Sequence, residues 1–204
     1  MLYIPKSHFA TPNWNWKVGV NHLDGPFHFW NKLLSDAVCD RIISLGESKE
    51  SKPGTVMAPS SVQVDASVRD TEVTWLRPDD CSWLYDIVWK AVSKNIWDYD
   101  IRGFGDNLQY TVYRGDGNHF YDWHHDIGTE SNHRKISFTL ALSNSDEYAG
   151  GDFGMQGPEG PLPVPPLEKG AALMFPSFMR HRVAPVTEGV RRSLVAWIAG
   201  PKFR

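Results

Sequence analysis

The sequence predicts an α+β chain, mainly β, whose C-terminal half is a β-sandwich or jelly roll. Two stretches with helical apolar spacing come first, and many short strand-like stretches follow. Glycine and proline punctuate the second group, as turns between short strands require. With 204 residues the chain is long enough to bury a proper core. One domain over 1–204 is expected, with 1–106 as helical support and loop and 107–204 as the β core.

Residues 1–30 are rich in Trp, Asn, His and Pro and show no clear period. A first helix is expected from Ser35 as N-cap, with Val38, Cys39, Ile42 and Ile43 on its apolar face. Residues 47–63 hold two prolines, one glycine and several serines and charges, and read as a long mobile loop. Such a loop is a candidate lid over a site, with a surface excursion of no role as the equal alternative. A second helix is expected over roughly 81–97, because Leu84, Ile87, Val88, Ala91 and Val92 make a buried stripe. Asp80 and Ser82 are its candidate caps.

From residue 107 the period changes. Leu108, Tyr110 and Val112 alternate with Gln109, Thr111 and Tyr113, as in a half-buried strand. Further short strands fit 135–143, 150–154, 170–175, 181–186 and 191–198.

Composition narrows the function classes. The chain is 41% hydrophobic and 22% charged, which suits a globular protein. A net charge of −3 supplies no basic field for nucleic acid, so no nucleic-acid partner is expected. Cys39 and Cys81 are the only cysteines and form no CxxC pair, against a disulfide framework or zinc knuckle. No apolar run resembles a signal peptide or approaches the ~20 residues of a membrane span. A cytoplasmic location without membrane association is the default expectation.

The candidate chemistry lies in four residues. In Tyr121-Asp122-Trp123-His124-His125-Asp126, His124 and Asp126 are two apart, so on a strand they share a face. His181 follows an apolar strand and turn, Gly170 to Pro176, and opens another strand. Two imidazoles and one carboxylate on one face of a metal leave neighbouring coordination positions open, the arrangement of non-haem Fe(II) oxygenases. Arg191, ten residues after His181, alternates with Ser193 and Val195 onto one strand face. If buried, its guanidinium needs an anion. Each signal alone is weak; their order and spacing make them strong together. His125 alternates away from the metal face. His22, His28, His119 and His133 lack a partner pattern and read as surface residues. Tyr121 reads as a packing residue. Trp75 and Trp123 are candidates for a substrate groove, and the other tryptophans read mainly as core.

Residues 107–200 resemble the catalytic domain of the prolyl 4-hydroxylase-like Fe(II)/2-oxoglutarate dioxygenases. The resemblance rests on Leu108–Gly115, Tyr121–Asp126, Gly150-Gly151-Asp152-Phe153 and, most specifically, His181–Arg191. The segment Ser67 to Thr71 also resembles an Arg-x-Ser/Thr segment upstream of the core, which makes Arg69 a substrate-binding candidate. The resemblance implies a double-stranded β-helix with helices on its outer sheet. It implies His124, Asp126 and His181 as Fe(II) ligands and Arg191 as the partner of the far carboxylate of 2-oxoglutarate. Tyr113, Thr139 and Ser193 are implied as further contacts to the cosubstrate. The chain departs from many relatives in having Ala141 where they carry tyrosine, and Asp152-Phe153 after the glycine pair.

The expected activity is hydroxylation of a C–H bond, first of peptide-bound proline, using O2 and 2-oxoglutarate and releasing succinate and CO2, with ascorbate as an auxiliary. The expected partner is a proline-containing peptide or protein. Two alternatives stay open: hydroxylation of a free amino acid or another protein side chain, and a non-catalytic metal-binding jelly-roll module.

Overall fold

A computed structural model describes residues 25–58, 61–128 and 131–202. In chain order its elements are β1 (His28–Trp30), α1 (Asp36–Glu47), β2 (Lys52–Pro53), β3 (Val56–Ala58), β4 (Ser61–Gln63), β5 (Arg69–Asp70), β6 (Glu72–Leu76) and α2 (Pro78–Val92). There follow β7 (Gly103–Phe104), β8 (Leu108–Arg114), β9 (Phe120–His124), β10 (Arg134–Ala141), β11 (Tyr148–Gly150) and β12 (Phe153–Gly157). The last four are β13 (Gly160–Leu162), β14 (Ala172–Pro176), β15 (Arg180–Val183) and β16 (Val186–Ala199).

The strands form two antiparallel sheets, a jelly roll. The larger runs β1-β14-β10-β16-β8-β6-β2, with β7 and β11 also paired to β16. The smaller runs β13-β12-β15-β9-β5. Strand alternation divides the larger sheet between two interiors. Leu108, Tyr110 and Val112 of β8, Ile136, Phe138 and Leu140 of β10, and Leu194, Ala196 and Ile198 of β16 meet the helices in one apolar core. Gln109, Tyr113, Thr139, Arg191 and Ser193 face the smaller sheet instead.

Helix α1 lies close on this sheet because Gly46 has no side chain; a Cβ there would meet the Tyr110 ring at 2.4 Å. Ser35 is its N-cap, though by its backbone carbonyl, which accepts from Val38 and Cys39, and not by its hydroxyl. Helix α2 starts three residues earlier than the apolar stripe indicates. Pro78 opens it, and the Asp80 carboxylate accepts the Arg77 N–H at 3.0 Å. Cys81, at φ −158° and ψ 53°, interrupts the helix, so Ser82 follows a kink. It ends at Val92 and not at 97. There the Ser93 hydroxyl donates to the Trp89 carbonyl and Asn95 accepts the Tyr99 N–H, both local bonds that compete with helix.

The region before residue 107 is more than helical support. It adds β1, β2, β6 and β7 to the larger sheet and β5 to the smaller. Residues 47–63 are likewise not a structureless loop. Lys52–Pro53 pairs with β6, and Val56–Ala58 pairs with Ser61–Gln63 as a separate hairpin. The prolines, serines and single glycine of this stretch hide such short strands, whose pairing partners are remote or only three residues long.

Candidate metal and cosubstrate site

The strand ends bring the four candidate residues together. His124 closes β9, His181 is the second residue of β15, and the two are directly paired across the smaller sheet. Between His181–His124 and Val183–Tyr121 the register slips, so Asp122 and Trp123 oppose Arg182 alone. This β-bulge re-aims the end of β9. Asp126 lies just beyond, its backbone N–H bonded to the Ser177 carbonyl at 3.0 Å.

His124 Nε2 is 3.7 Å from Asp126 Oδ1, and His181 Nε2 is 3.5 Å from Asp126 Oδ2. One ligand atom from each of the three residues lies within 4.8 Å of the others. The other ring nitrogens are already engaged. His124 Nδ1 is 2.7 Å from the Asp122 carbonyl and His181 Nδ1 is 2.9 Å from that of Met179. Carbonyls only accept, so both Nδ1 atoms carry a proton, and both Nε2 atoms face Asp126. Burial, aided by the nearby His181, lowers the His124 pKa to about 3, which keeps the ring neutral and able to ligate. Burial opposes ionisation of Asp126 more than any other single influence. His181, His124, Arg134 and the Ser137 hydroxyl together outweigh it and hold the carboxyl at about 2. Ser137 Oγ donates to Asp126 Oδ2 at 2.5 Å and lies 3.0 Å from Ser177 Oγ, while Arg134 donates to the Asp126 carbonyl at 3.2 Å.

Arg191 lines the same cavity and is 3% exposed. Its Nη1 is buried with no hydrogen-bond partner among the described residues, and its guanidinium sits 5.2 Å from the Tyr113 ring centroid. A buried guanidinium offering unused donors is an incomplete anion site. Tyr113, Thr139 and Ser193 line the cavity with it. Arg69 also lines it; its Nε donates to Thr71 Oγ1, its Nη1 to the Thr55 carbonyl, and its guanidinium lies over the Tyr121 ring.

Two imidazoles with Nε2 turned to one ionised carboxylate, and a buried arginine with no hydrogen-bond partner at Nη1 among the described residues, thus fit a divalent metal with an anionic chelator beside it.

Two expectations fall outside the cavity lining. Trp75 is 41% exposed and packs on Trp197, which does line the cavity, so Trp75 is one ring removed. Trp123 lies between strands on the outer side of the smaller sheet, under Arg180 and Arg182. His125 points away as expected, its Nδ1 2.7 Å from the Phe178 carbonyl. His22 lies outside the described residues. Tyr121 does more than pack: its ring stacks on His124 at a centroid distance of 3.5 Å, inside the cavity. Ser137, which alternates with Thr139 on β10, joins the site through its bond to Asp126, a role that a lone serine on a strand does not signal in sequence.

Residues 108–199 match the model of the 2OG-Fe(II) oxygenase superfamily. A PKHD-type hydroxylase of Maricaulis maris is 43% identical over 63 residues, 31% of this chain and 28% of that protein. The chain therefore spans under a third of that relative's length in the match. A PKHD-type hydroxylase of a Synechococcus species is 27% identical over 84% of this chain and 77% of its own length. Among solved structures, a Pseudomonas putida prolyl-4-hydroxylase superposes with a TM-score of 0.67 at 18% identity, covering 86% of this chain and 93% of that one. A Trichoplax adhaerens prolyl hydroxylase, in complex with a hypoxia-inducible factor peptide fragment, superposes with a TM-score of 0.70 at 17% identity, covering 85% and 83%. These two show the shared fold.

Proposed function

We propose that this chain, whose residues 108–199 match the model of the 2OG-Fe(II) oxygenase superfamily, is a 2-oxoglutarate-dependent hydroxylase of a peptide-bound residue, first of proline. The observation that carries this reading is one cavity lined by an open His-Asp-His cluster and a buried arginine without a partner. The PKHD-type and prolyl hydroxylase likenesses support it.

His124 and His181 would bind Fe(II) through Nε2 and Asp126 through a carboxylate oxygen. When bound, Fe(II), O2 and 2-oxoglutarate supply the oxidation, in which the cosubstrate becomes succinate and CO2 and one oxygen atom enters a substrate C–H bond. The protein's part is to position and shield. Arg191 would hold the far carboxylate of 2-oxoglutarate with a fixed, permanently charged fork, and Thr139, Ser193 and Tyr113, which line the same cavity, would add hydroxyl donors beside it. Ser137 keeps one Asp126 oxygen occupied. Arg69, near the Tyr121–His124 stack, would meet the substrate inside the cavity, and Trp75 and Trp123 would meet it only beyond the cavity lining. Ascorbate would serve as an auxiliary reductant. The two cysteines are buried and unpaired, and no helix among the described residues is long and apolar enough to cross a membrane. The unpaired thiols suit the reducing, cytoplasmic setting proposed for the chain.

The test is succinate formation from 2-oxoglutarate with Fe(II), ascorbate and a panel of proline-containing peptides. Peptide-dependent succinate with a mass gain of one oxygen on the peptide is the expected result. Metal and 2-oxoglutarate binding without turnover on any peptide, amino acid or protein would leave a binding module instead.

A further inference from the structure

Arg180 and Arg182 flank His181 on β15, so their side chains leave the strand on the side opposite the metal-facing imidazole. Both guanidiniums lie over the indole of Trp123, Arg182 at 4.8 Å and Arg180 at 5.5 Å from its centroid. The bulge in β9 sets Trp123 opposite Arg182. Gly154 on the next strand leaves room for both: a Cβ there would come within 3.3 Å of the Trp123 ring and 3.4 Å of Arg182 Cγ. Arg180 Nη1 donates to Gln156 Oε1 at 3.0 Å, which fixes its plane. Neither guanidinium has a carboxylate within 4.0 Å among the described residues. The nearby Asp122 is turned to its own chain, accepting the Trp123 N–H at 2.7 Å. Next to this cluster, the turn before β15 carries Phe178, which is 44% exposed and whose carbonyl faces His125.

An indole and two guanidiniums, neither with a carboxylate within 4.0 Å among the described residues, therefore stand on the residues adjoining two candidate metal ligands. Stacking on an indole holds a guanidinium plane in place and leaves its edge donors free, the geometry that grips a carboxylate by two bonds. In a chain of net charge −3 these arginines are not part of a general basic field. A nucleic-acid backbone needs such a field; a few side-chain carboxylates do not.

We propose that Trp123, Arg180 and Arg182 form a subsite for acidic side chains flanking the hydroxylated residue of an extended peptide substrate. The proposal rests on the peptide-hydroxylase reading and narrows it to peptides with Asp or Glu near the target. Labelled peptides with a central Ala-Pro-Ala, flanked by glutamates, glutamines or lysines, are titrated against the metal- and 2-oxoglutarate-loaded protein by fluorescence anisotropy. The glutamate peptide should bind roughly tenfold more tightly than the glutamine peptide, with the lysine peptide weakest, since each exposed charge pair contributes up to about 1 kcal/mol. The Arg180→Gln/Arg182→Gln variant should lose that preference while keeping its affinity for the glutamine peptide, and Arg182→Glu should turn it toward lysine. Equal binding of all three peptides, or an unchanged preference in the double variant, would overturn the subsite. So would displacement of the glutamate peptide by oligothymidylate in preference to acidic peptide. Succinate formation on the glutamine peptide is followed in parallel, because its presence keeps the hydroxylase reading standing whatever the charge preference.

Discussion

The two interiors of this protein share the same strands and differ in almost everything else. On the helix side of β8, β10 and β16 the contacts are Leu108, Tyr110, Ile136, Phe138, Leu194 and Ile198, all nearly inaccessible and apolar. On the other side, one residue along each strand, stand Gln109, Ser137, Thr139, Arg191 and Ser193, equally buried and polar. An apolar interior is satisfied once packed. A buried polar interior whose arginine has an Nη1 without a hydrogen-bond partner among the described residues is completed by a ligand that enters it. One face of the strands supplies stability, and the other is arranged for ligands at a cost in stability.

That contrast can be broken most severely at the metal cluster. His124→Ala, Asp126→Ala and His181→Ala should each abolish succinate formation while the circular dichroism of the metal-free protein stays that of the parent. Retained turnover in two of them would remove the triad assignment. Arg191→Met comes next. Loss of one member of a buried charge pair costs about 3–5 kcal/mol, so the apparent affinity for 2-oxoglutarate should fall by orders of magnitude with metal affinity little changed. If Arg192→Met has this effect instead, the functional face of β16 is misassigned; Arg192 turns to Glu47 on the helix side.

Leu194→Ala tests the other interior. It should lower unfolding stability by about 2–5 kcal/mol in denaturant titrations and leave 2-oxoglutarate affinity unaltered below the transition. A matching loss of affinity would mean that the two faces are not separable. Ser137→Ala is smaller again. Removing a hydrogen bond to a charged group costs about 1.5–3 kcal/mol, and here it should weaken metal binding while stability changes little.

The mildest test is pH. The folded chain holds His124 neutral down to about 3, whereas the unfolded chain takes up its proton near 6.5. The unfolded state therefore binds more protons between those values, and metal-free stability falls as pH drops through that window. His124→Ala should flatten the melting temperature profile between pH 6.5 and pH 4. An unflattened profile would point to other groups.

The same alternation explains what could be read from the chain beforehand. The period-2 pattern of Leu108 to Tyr113 and the Arg191-Ser193 face survive in the structure because strand geometry is local, whereas His124 and Asp126 meet although β9 ends at His124, because the Asp126 N–H is held by the Ser177 carbonyl. Pairing is not local. That His124 sits opposite His181, that Arg69 reaches Tyr121, and that Lys52–Pro53 joins β6 all depend on distant partners that no short window contains. The first turn of α2 escaped because its start is set by Pro78 and a carboxylate cap rather than by apolar spacing. Ser137 and Tyr121 escaped because a serine and a tyrosine on strands have ordinary structural uses, and only their distances to Asp126 and His124 single them out.

The most direct measurement is calorimetric titration of 2-oxoglutarate into the Mn(II)-loaded protein, set beside Arg191→Met and the metal-free parent. Saturation of a single site in the loaded parent, lost without metal and strongly weakened in Arg191→Met, is the result expected if the polar interior holds metal and cosubstrate together. Binding of equal strength in all three would contradict it.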